Sequence, residues 1–255
     1  SPEAIAQYAG ALVARYGPNG SFWAENPGLT KQPIETWQIW NEPNIIPFWK
    51  DQPFAADYVA DLRAARQAIL SADPTAKVAI AGLVNNSWDA LEQVYQAGGQ
   101  GLFDVVAIHP FTKQVKGVIT ILRRVRTVMT RHGDAAKPLM VTELSWPSAV
   151  GKVRKKYLKG FEVTPAQQAE RVRDAYALLA HWRARLNIIQ VDWYSWLRYD
   201  SFKKETFDYA GLRHIAAKRP HRIEDKPAAG AFKKEALKLE GCRRKGPRTT
   251  DCRSG

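Results

Sequence analysis

The chain has 255 residues, 45% of them hydrophobic, which suits one large α/β domain or two small ones with a sizeable core. Its formal net charge is +13, but the Lys and Arg residues occur in several separate runs and accompany no known nucleic-acid-binding motif. No apolar run is long enough to cross a membrane. We therefore expect neither a nucleic acid nor a membrane as the partner of this protein.

The first helix and the first strand are marked by the residues at their ends. Ser1 can cap a helix whose first position is Pro2, and apolar residues follow at helical spacing as far as Gly17. The stretch "WQIWNEPN" at 37–44 then predicts a buried strand. Pro43 ends this strand, because proline cannot donate a ladder hydrogen bond and disfavours helix at the preceding residue. Glu42 is therefore predicted at the carboxyl end of the strand.

Helices and strands alternate through the rest of the chain. The predicted elements, in order, are helix 55–71, strand 77–83, helix 88–98, strand 103–111, helix 116–132, strand 137–146, helix 165–185, strand 187–196 and helix 227–239. Strands that alternate with helices and are continuously apolar indicate a parallel sheet covered on both faces. The predicted fold class is therefore α/β.

Polar and aromatic residues collect at the carboxyl ends of these strands, where parallel sheets bind their ligands. The residues at or just beyond those ends are Asn41, Glu42, Gly82, Asn85, His109, Glu143 and Trp196. One strand-end Glu could be a structural ion-pair partner, but Glu42 and Glu143 together favour a catalytic pair. Cleavage of a glycosidic bond needs one protonated carboxyl group to assist the leaving oxygen and one ionised carboxylate to meet the oxocarbenium-like carbon.

The motifs "WNEPN", "AIHPF" and "VTELSW", in this order, resemble those of the clan A glycoside hydrolases, which are (β/α)8 barrels. The resemblance implies that Glu42 is the acid/base at the end of barrel strand four and that Glu143 is the nucleophile at the end of strand seven, in a retaining mechanism. It also implies that Asn41 binds the sugar 2-hydroxyl, that His109 is the strand-six His, and that Trp196 is the strand-eight Trp on which the sugar packs. The β-xylosidase/α-L-iduronidase family and the cellulase family are the most similar in the clan.

The chain departs from the clan pattern in two respects. Phe111 stands where many relatives have a Tyr after the strand-six His, so the hydroxyl that contacts the nucleophile is expected to be missing or to come from elsewhere. The chain also begins at what would be helix three, which leaves five strands and two open sheet edges. We expect a TIM barrel present only from about helix three to helix eight in residues 1–240, followed by a basic tail in residues 241–255. A fragment of a longer enzyme is favoured over completion by another chain or a rebuilt fold.

Several aromatic and polar residues have two interpretations. Tyr194 and Asn85 are candidate substrate contacts, although Tyr194 could equally pack in the core. Trp193 is expected to pack, because strand side chains alternate and Trp193 and Trp196 cannot face the same side. His109 lies on an apolar strand, where a core His with satisfied hydrogen bonds is the alternative to a substrate ligand.

The two cysteines, Cys242 and Cys252, lie close together in the basic tail. A disulfide between them is expected, which would imply an oxidising compartment and a secreted protein. No cluster of His, Asp or Cys has metal-ligand spacing, so neither a metal nor a cofactor is predicted. A carbohydrate is the expected partner, and a carbohydrate-binding pseudoenzyme is the main alternative to a glycosidase. A basic module that binds an anionic polymer is the third hypothesis, which depends on charge alone.

Overall fold

The computed structural model describes residues 1–216 and 222–240, together with the backbone of 242–244 and 250–252. The fold is mixed α/β, as the sequence predicts, and its alternation of elements is consistent with a partial (β/α)8 barrel. The helices are α1 Pro2–Tyr16, α2 Ser21–Glu25, α3 Ala55–Ala72, α4 Ser87–Gln96, α5 Val115–Arg131, α6 Pro165–Leu186 and α7 Pro227–Leu239. No described helix is long and apolar enough to cross a membrane.

The strands are shorter than the apolar runs that predict them. They are β1 Thr36–Gln38, β2 Lys77–Ala79, β3 Leu83–Val84, β4 Val106–His109, β5 Leu139–Leu144, β6 Ile188–Trp193, β7 Leu197–Arg198, β8 Arg213–Ile215, β9 Ile223–Asp225, β10 Cys242–Arg244 and β11 Thr250–Cys252. Strands β1 and β2 pair in parallel, and β3, β4, β5 and β6 form a four-stranded sheet in that order. The small sheet β7-β8-β9 was not predicted.

Two compact units can be distinguished in the chain. Unit 1 contains residues 1–110, 121–142 and 186–190, and unit 2 contains residues 111–120, 143–185 and 191–255. Strands β5 and β6 each begin in unit 1 and end in unit 2. The predicted division at residue 240 stays a prediction, since no finding tests it.

The described part of the basic tail is a two-stranded hairpin. Strands β10 and β11 pair antiparallel, with Cys242 opposite Cys252 in the backbone register. The side chains of both cysteines lie outside the described residues, so the disulfide remains a prediction. Disulfides join residues whose Cα atoms are close, as they are in directly opposed positions of an antiparallel pair.

Helix α3 organises the core of unit 1. Its predicted apolar stripe is fully buried, because Tyr58, Leu62, Ala65 and Ile69 are each 0% exposed. The hydroxyl of Tyr58 accepts a hydrogen bond from Ala81 N at 2.7 Å and donates one to the carbonyl oxygen of Ile39 at 3.2 Å. Two backbone segments at the ends of neighbouring strands are therefore fixed to one buried side chain.

Unit 2 has an aromatic cluster and a buried amide at its centre. The rings of Phe111, Phe161, Phe207 and Tyr194 pack together, with Phe111 5.0 Å and Tyr194 5.7 Å from Phe207 between ring centroids. The buried side chain of Gln168 donates hydrogen bonds to backbone carbonyl oxygens on two loops. These contacts hold Trp146, which follows β5, and the segment 209–210, which follows β7, against helix α6.

Candidate active site

The "WNEPN" segment leaves the strand earlier than the sequence predicts. Strand β1 ends at Gln38, and both Trp40 and Glu42 have positive φ angles, 72° and 44°. Residues other than glycine seldom adopt this conformation, which tends to occur where a function requires a strained backbone. The backbone N–H of Glu42 donates to the carbonyl oxygen of Gly82 at 3.1 Å, and this bond stabilises the turn.

Asn44, which the sequence analysis overlooked, holds the same loop from its other side. Its amide nitrogen donates to the carbonyl oxygen of Val84 at 2.8 Å, and its amide oxygen accepts from Val84 N at 3.3 Å. The loop that carries Glu42 is therefore joined to the end of β3 by a two-point clamp. The fact that Asn44 completes the motif "NEPN" is the one signal in the sequence that could have identified it.

Glu42 and His109 form a buried hydrogen-bonded pair. Glu42 Oε1 lies 2.7 Å from His109 Nδ1, and the two residues are 7% and 1% exposed. His109 Nε2 lies 3.1 Å from the hydroxyl oxygen of Thr142, a second residue that the sequence analysis overlooked. One tautomer satisfies both contacts: Nδ1–H donates to Glu42, and the Thr142 hydroxyl donates to Nε2. In that arrangement His109 engages Oε1 of Glu42, and no described side chain hydrogen-bonds to Oε2.

Gly82 makes room for the imidazole of His109. A Cβ atom at Gly82 would lie 2.0 Å from His109 Nε2, closer than any real contact. The position therefore needs glycine because of the close approach of the ring. The imidazole is consequently confined between the Gly82 backbone, Glu42 and Thr142.

Glu143 lies on β5 in unit 2, one residue after Thr142 and one before Leu144. The carbonyl oxygen of Leu144 accepts a hydrogen bond from Tyr194 N at 3.0 Å, so the backbones next to Glu143 and at Tyr194 are neighbours. The guanidinium of Arg198 donates to the Tyr194 hydroxyl, and its Nε donates to Ser195 Oγ at 3.0 Å. Tyr194 is therefore held in one orientation beside the strand that carries Glu143.

The two tryptophans near the end of β6 have different environments. Trp193 is 8% exposed and donates its indole N–H to the carbonyl oxygen of Ala210 at 3.1 Å, as expected of a packing residue. Trp196 is 58% exposed, with the guanidinium carbon of Arg213 5.5 Å from its ring centroid. An exposed indole offers a flat apolar face, which is what a sugar ring stacks on.

The other two predicted contacts lie in unit 1. Asn41 pairs with Gly82 in a parallel bridge directly before Glu42, so its backbone is part of the strained turn. Asn85 follows β3, is exposed, and has a positive φ of 57°. Its carbonyl oxygen accepts from the hydroxyl of Ser87 at 3.3 Å, which leaves its side chain available to a ligand.

Chemically, the pair in unit 1 combines a carboxylate with an imidazole, two groups that serve in general acid–base catalysis. A carboxylate oxygen and an imidazole nitrogen are also metal-ligand types. Here, however, Oε1 and Nδ1 point at each other at hydrogen-bond distance. A buried carboxyl group with one oxygen fixed and the other available is the arrangement that general acid–base catalysis needs.

Comparison with known proteins gives a likeness of fold. No protein-family model matches the sequence, and no curated protein matches it either. Among solved structures, a GH39 β-xylosidase from Caulobacter crescentus is 21% identical, with a TM-score of 0.56 over 99% of this chain and 49% of its own. A glucosidase from Croceicoccus marinus is 14% identical, with a TM-score of 0.63 over 94% of this chain and 47% of its own.

A third solved structure belongs to another family of the same clan. The GH51 α-L-arabinofuranosidase of Thermotoga petrophila RKU-1 is 15% identical, with a TM-score of 0.62 over 89% of this chain and 46% of its own. The chain thus spans about half the length of these solved relatives. In fold, this chain resembles the clan A glycoside hydrolases.

Proposed function

We propose that this chain forms part of a retaining glycoside hydrolase in which Glu42 is the acid/base and Glu143 is the nucleophile. The observation that carries the proposal is the buried contact of 2.7 Å between Glu42 Oε1 and His109 Nδ1. The fold likeness to glycosidases supports it. Its expected partner is a carbohydrate.

The proposed first step is formation of a covalent glycosyl-enzyme. Glu143 attacks the anomeric carbon, the glycosidic C–O bond breaks, and the proton on Glu42 Oε2 goes to the leaving oxygen. The hydrogen bond from His109 Nδ1 to Oε1 persists throughout, so the carboxyl group keeps its orientation while its other oxygen loses the proton. The negative charge that then develops on Glu42 is stabilised by the same N–H donor.

In the second step Glu42 acts as the base. A water molecule loses a proton to Glu42 Oε2 and attacks the anomeric carbon, which releases Glu143 and regenerates both carboxyl groups. Asn41 is proposed to bind the sugar 2-hydroxyl, and Trp196 and Tyr194 to offer aromatic surface to the ring. Asn85 is proposed as a further polar contact. Secretion and the Cys242–Cys252 disulfide belong to this proposal.

Proton NMR of the hydrolysis products tests the proposal. Freshly cleaved aryl glycosides should give the sugar in the anomeric configuration of the substrate, which mutarotation later scrambles. The inverted anomer as first product would exclude the double displacement. The variant Glu143→Gln should give no product, while Asp89→Asn, on the exposed side of α4, should react as the wild type does.

Carbohydrate binding without turnover is the second candidate. It is favoured by Phe111, whose ring packs against Phe161 and Phe207 and offers no hydroxyl to the proposed nucleophile. In that case sugars should bind, as seen by titration calorimetry, and no aryl glycoside should be cleaved.

A further inference from the structure

Two basic loops lie in unit 2 after strands β5 and β7. The first loop, residues 150–162, begins a few positions beyond Glu143, and the second, residues 199–208, begins a few positions beyond Tyr194. We refer to six of their exposed cations as the basic rim. The basic rim consists of Arg154, Lys155, Lys156, Lys159, Lys203 and Lys204.

Backbone and side-chain hydrogen bonds hold the two loops side by side. The backbone N–H of Arg154 donates to the carbonyl oxygen of Lys203 at 3.0 Å. The hydroxyl of Thr206 donates to the backbone carbonyl oxygen of Tyr157, also at 3.0 Å. Lys155 to Tyr157 form a 3-10 turn directly beside this junction. The six cations therefore belong to one surface, although they come from two parts of the sequence.

The carboxylates of the same loops are occupied by other partners. Glu162 accepts from the backbone N–H groups of Lys159 and Gly160, at 2.5 and 2.9 Å. Asp208 accepts from the N–H groups of two residues in the second loop, and Glu205 caps the turn that follows it. Asp200 faces the buried ammonium group of Lys226 at 3.2 Å.

As a result, none of these carboxylates is shown in an ion pair with the basic rim. None of its six side chains has an ion-pair partner among the residues that the structure describes. Like charges on adjoining loops repel one another, and an anionic ligand bound across them would offset this cost. Two exposed aromatic rings accompany them: Tyr199 and Phe202 are 58% and 59% exposed and pack edge to face.

We propose that the basic rim binds an anionic polysaccharide, carboxylated or sulfated, and that this is the substrate class of the proposed glycosidase. The inference therefore rests on the proposed function. Lys and Arg supply charge-assisted hydrogen bonds to carboxylate or sulfate groups, and the aromatic rings supply faces for the sugars between them. The first loop follows β5, which carries Glu143, and the second follows β7, which begins three residues beyond Tyr194. A chain bound to the two loops would therefore extend toward the segments where the cleaved sugar is proposed to sit.

A binding measurement tests this proposal independently of turnover. The affinity of the purified chain is measured by titration calorimetry for polygalacturonate, heparin, neutral xylan and single-stranded DNA, at several salt concentrations. The rim variant combines Lys155→Gln, Lys156→Gln and Lys203→Gln. The control variant combines Arg183→Gln, Lys233→Gln and Lys234→Gln, three exposed cations on helices α6 and α7. Both variants lower the formal net charge from +13 to +10.

The wild type and the control variant should bind polygalacturonate or heparin. Tighter binding of polygalacturonate would indicate carboxylate recognition, and tighter binding of heparin would indicate sulfate recognition. The rim variant should bind about tenfold more weakly, and its dependence of log K on log salt should be shallower by roughly one for each lysine removed. Equal losses in both variants would show that net charge alone binds the glycan and would overturn the proposal. It would also be overturned by equal affinity for xylan, or by DNA binding as tight as glycan binding and equally sensitive to the rim substitutions.

This test separates the two proposals. If the chain binds anionic glycans no better than xylan, but still forms a glycosyl-enzyme at Glu143 from a neutral sugar, the anionic substrate is rejected and the glycosidase is kept. Rim-dependent glycan binding without any cleavage would reject the glycosidase and keep the anionic ligand.

Discussion

Glu42 Oε1 and His109 Nδ1 lie 2.7 Å apart, although the two residues are 67 positions apart in the sequence. His109 ends strand β4 and Glu42 lies four residues beyond β1, both in unit 1. The packing of Gly82 and Thr142 around the imidazole leaves the ring little freedom. The contact fixes one oxygen of Glu42 and leaves the other available. In the proposed acid/base role, Oε1 accepts the hydrogen bond from His109 and Oε2 transfers the proton.

Replacement of Gly82 tests the confinement of His109. Gly82→Ala should displace the imidazole, because its Cβ would lie 2.0 Å from Nε2, and should reduce the free energy of unfolding by about 1–3 kcal/mol. Urea titration measures the loss, and the imidazole resonances of His109 should shift in nitrogen-15 NMR. Gly28→Ala is the matched control, because no atom lies within 4 Å of its added Cβ. The double variant Gly82→Ala/His109→Ala should be about as stable as His109→Ala alone. If Gly82→Ala still destabilises the protein without the imidazole, the clash with the His109 ring is not the cause of the loss.

Glu42→Gln should slow cleavage according to the leaving group. Poor leaving groups need a proton from residue 42, so their kcat/KM should fall by about 10²–10⁴. Activated aryl glycosides leave without a proton and should lose much less. Steady-state kinetics on a series of aryl glycosides measures the difference, and equal losses across the series would remove Glu42 from the acid role.

Lys226 provides a test of stability within unit 2. Its ammonium group is buried and donates to Ser148 Oγ at 3.0 Å, to the carbonyl oxygen of Tyr209 at 2.9 Å and to Asp200 at 3.2 Å. Lys226→Met should lower the free energy of unfolding by about 3 kcal/mol, because it leaves Asp200 buried without its main partner. Lys233→Met, at an exposed position of helix α7, which Lys226 directly precedes, should change the free energy of unfolding by less than about 0.5 kcal/mol. A similar effect of both substitutions would contradict the structural role of the buried pair.

Asp61 should make stability depend on pH in the acidic range. Burial raises its pKa above the ordinary 3.8, an effect that the amino group of Ser1 partly offsets and that Asp57 and Glu3 reinforce. Above pH 3.8 the folded state therefore binds more protons at this site than the unfolded state does, so stability falls as pH rises through the raised pKa. Asp61→Asn should remove this part of the dependence and stabilise the protein at pH 7. Urea titrations at several pH values measure it, and parallel pH profiles for the two proteins would refute it.

The sequence predicted the longer helices well, for physical reasons that particular residues show. Helix α7 was predicted at its observed bounds because Pro227 begins it, and the stripe from Tyr58 to Ile69 identified α3. Pairing of Glu42 with His109 could not be predicted, because it depends on the turn beyond β1 that brings Glu42 next to the end of β4. Gly82 was noted only as a strand end, since its steric role appears only when the ring is in place.

The short strands could not be predicted either. Strands β7, β8 and β9 have two or three residues each, too few for any alternation to be recognised. The apolar run before Glu42 predicted a longer strand than β1, because side-chain hydrophobicity does not report the positive φ angles of Trp40 and Glu42. Tertiary hydrogen bonds, such as those of Asn44, determine that turn.

Covalent trapping of Glu143 tests the central claim most directly. Activated 2-deoxy-2-fluoro glycosides of xylose, glucose, arabinose and the corresponding uronic acids slow the second step of a retaining enzyme more than the first, so the glycosyl-enzyme accumulates. After trypsin digestion, mass spectrometry should find one of these sugars on the peptide of residues 132–152, whose carboxyl groups are those of Asp134 and Glu143, and fragmentation should place it on Glu143. A sugar attached to another peptide, or an unmodified Glu143 after prolonged incubation with every glycoside of the series, would contradict the account.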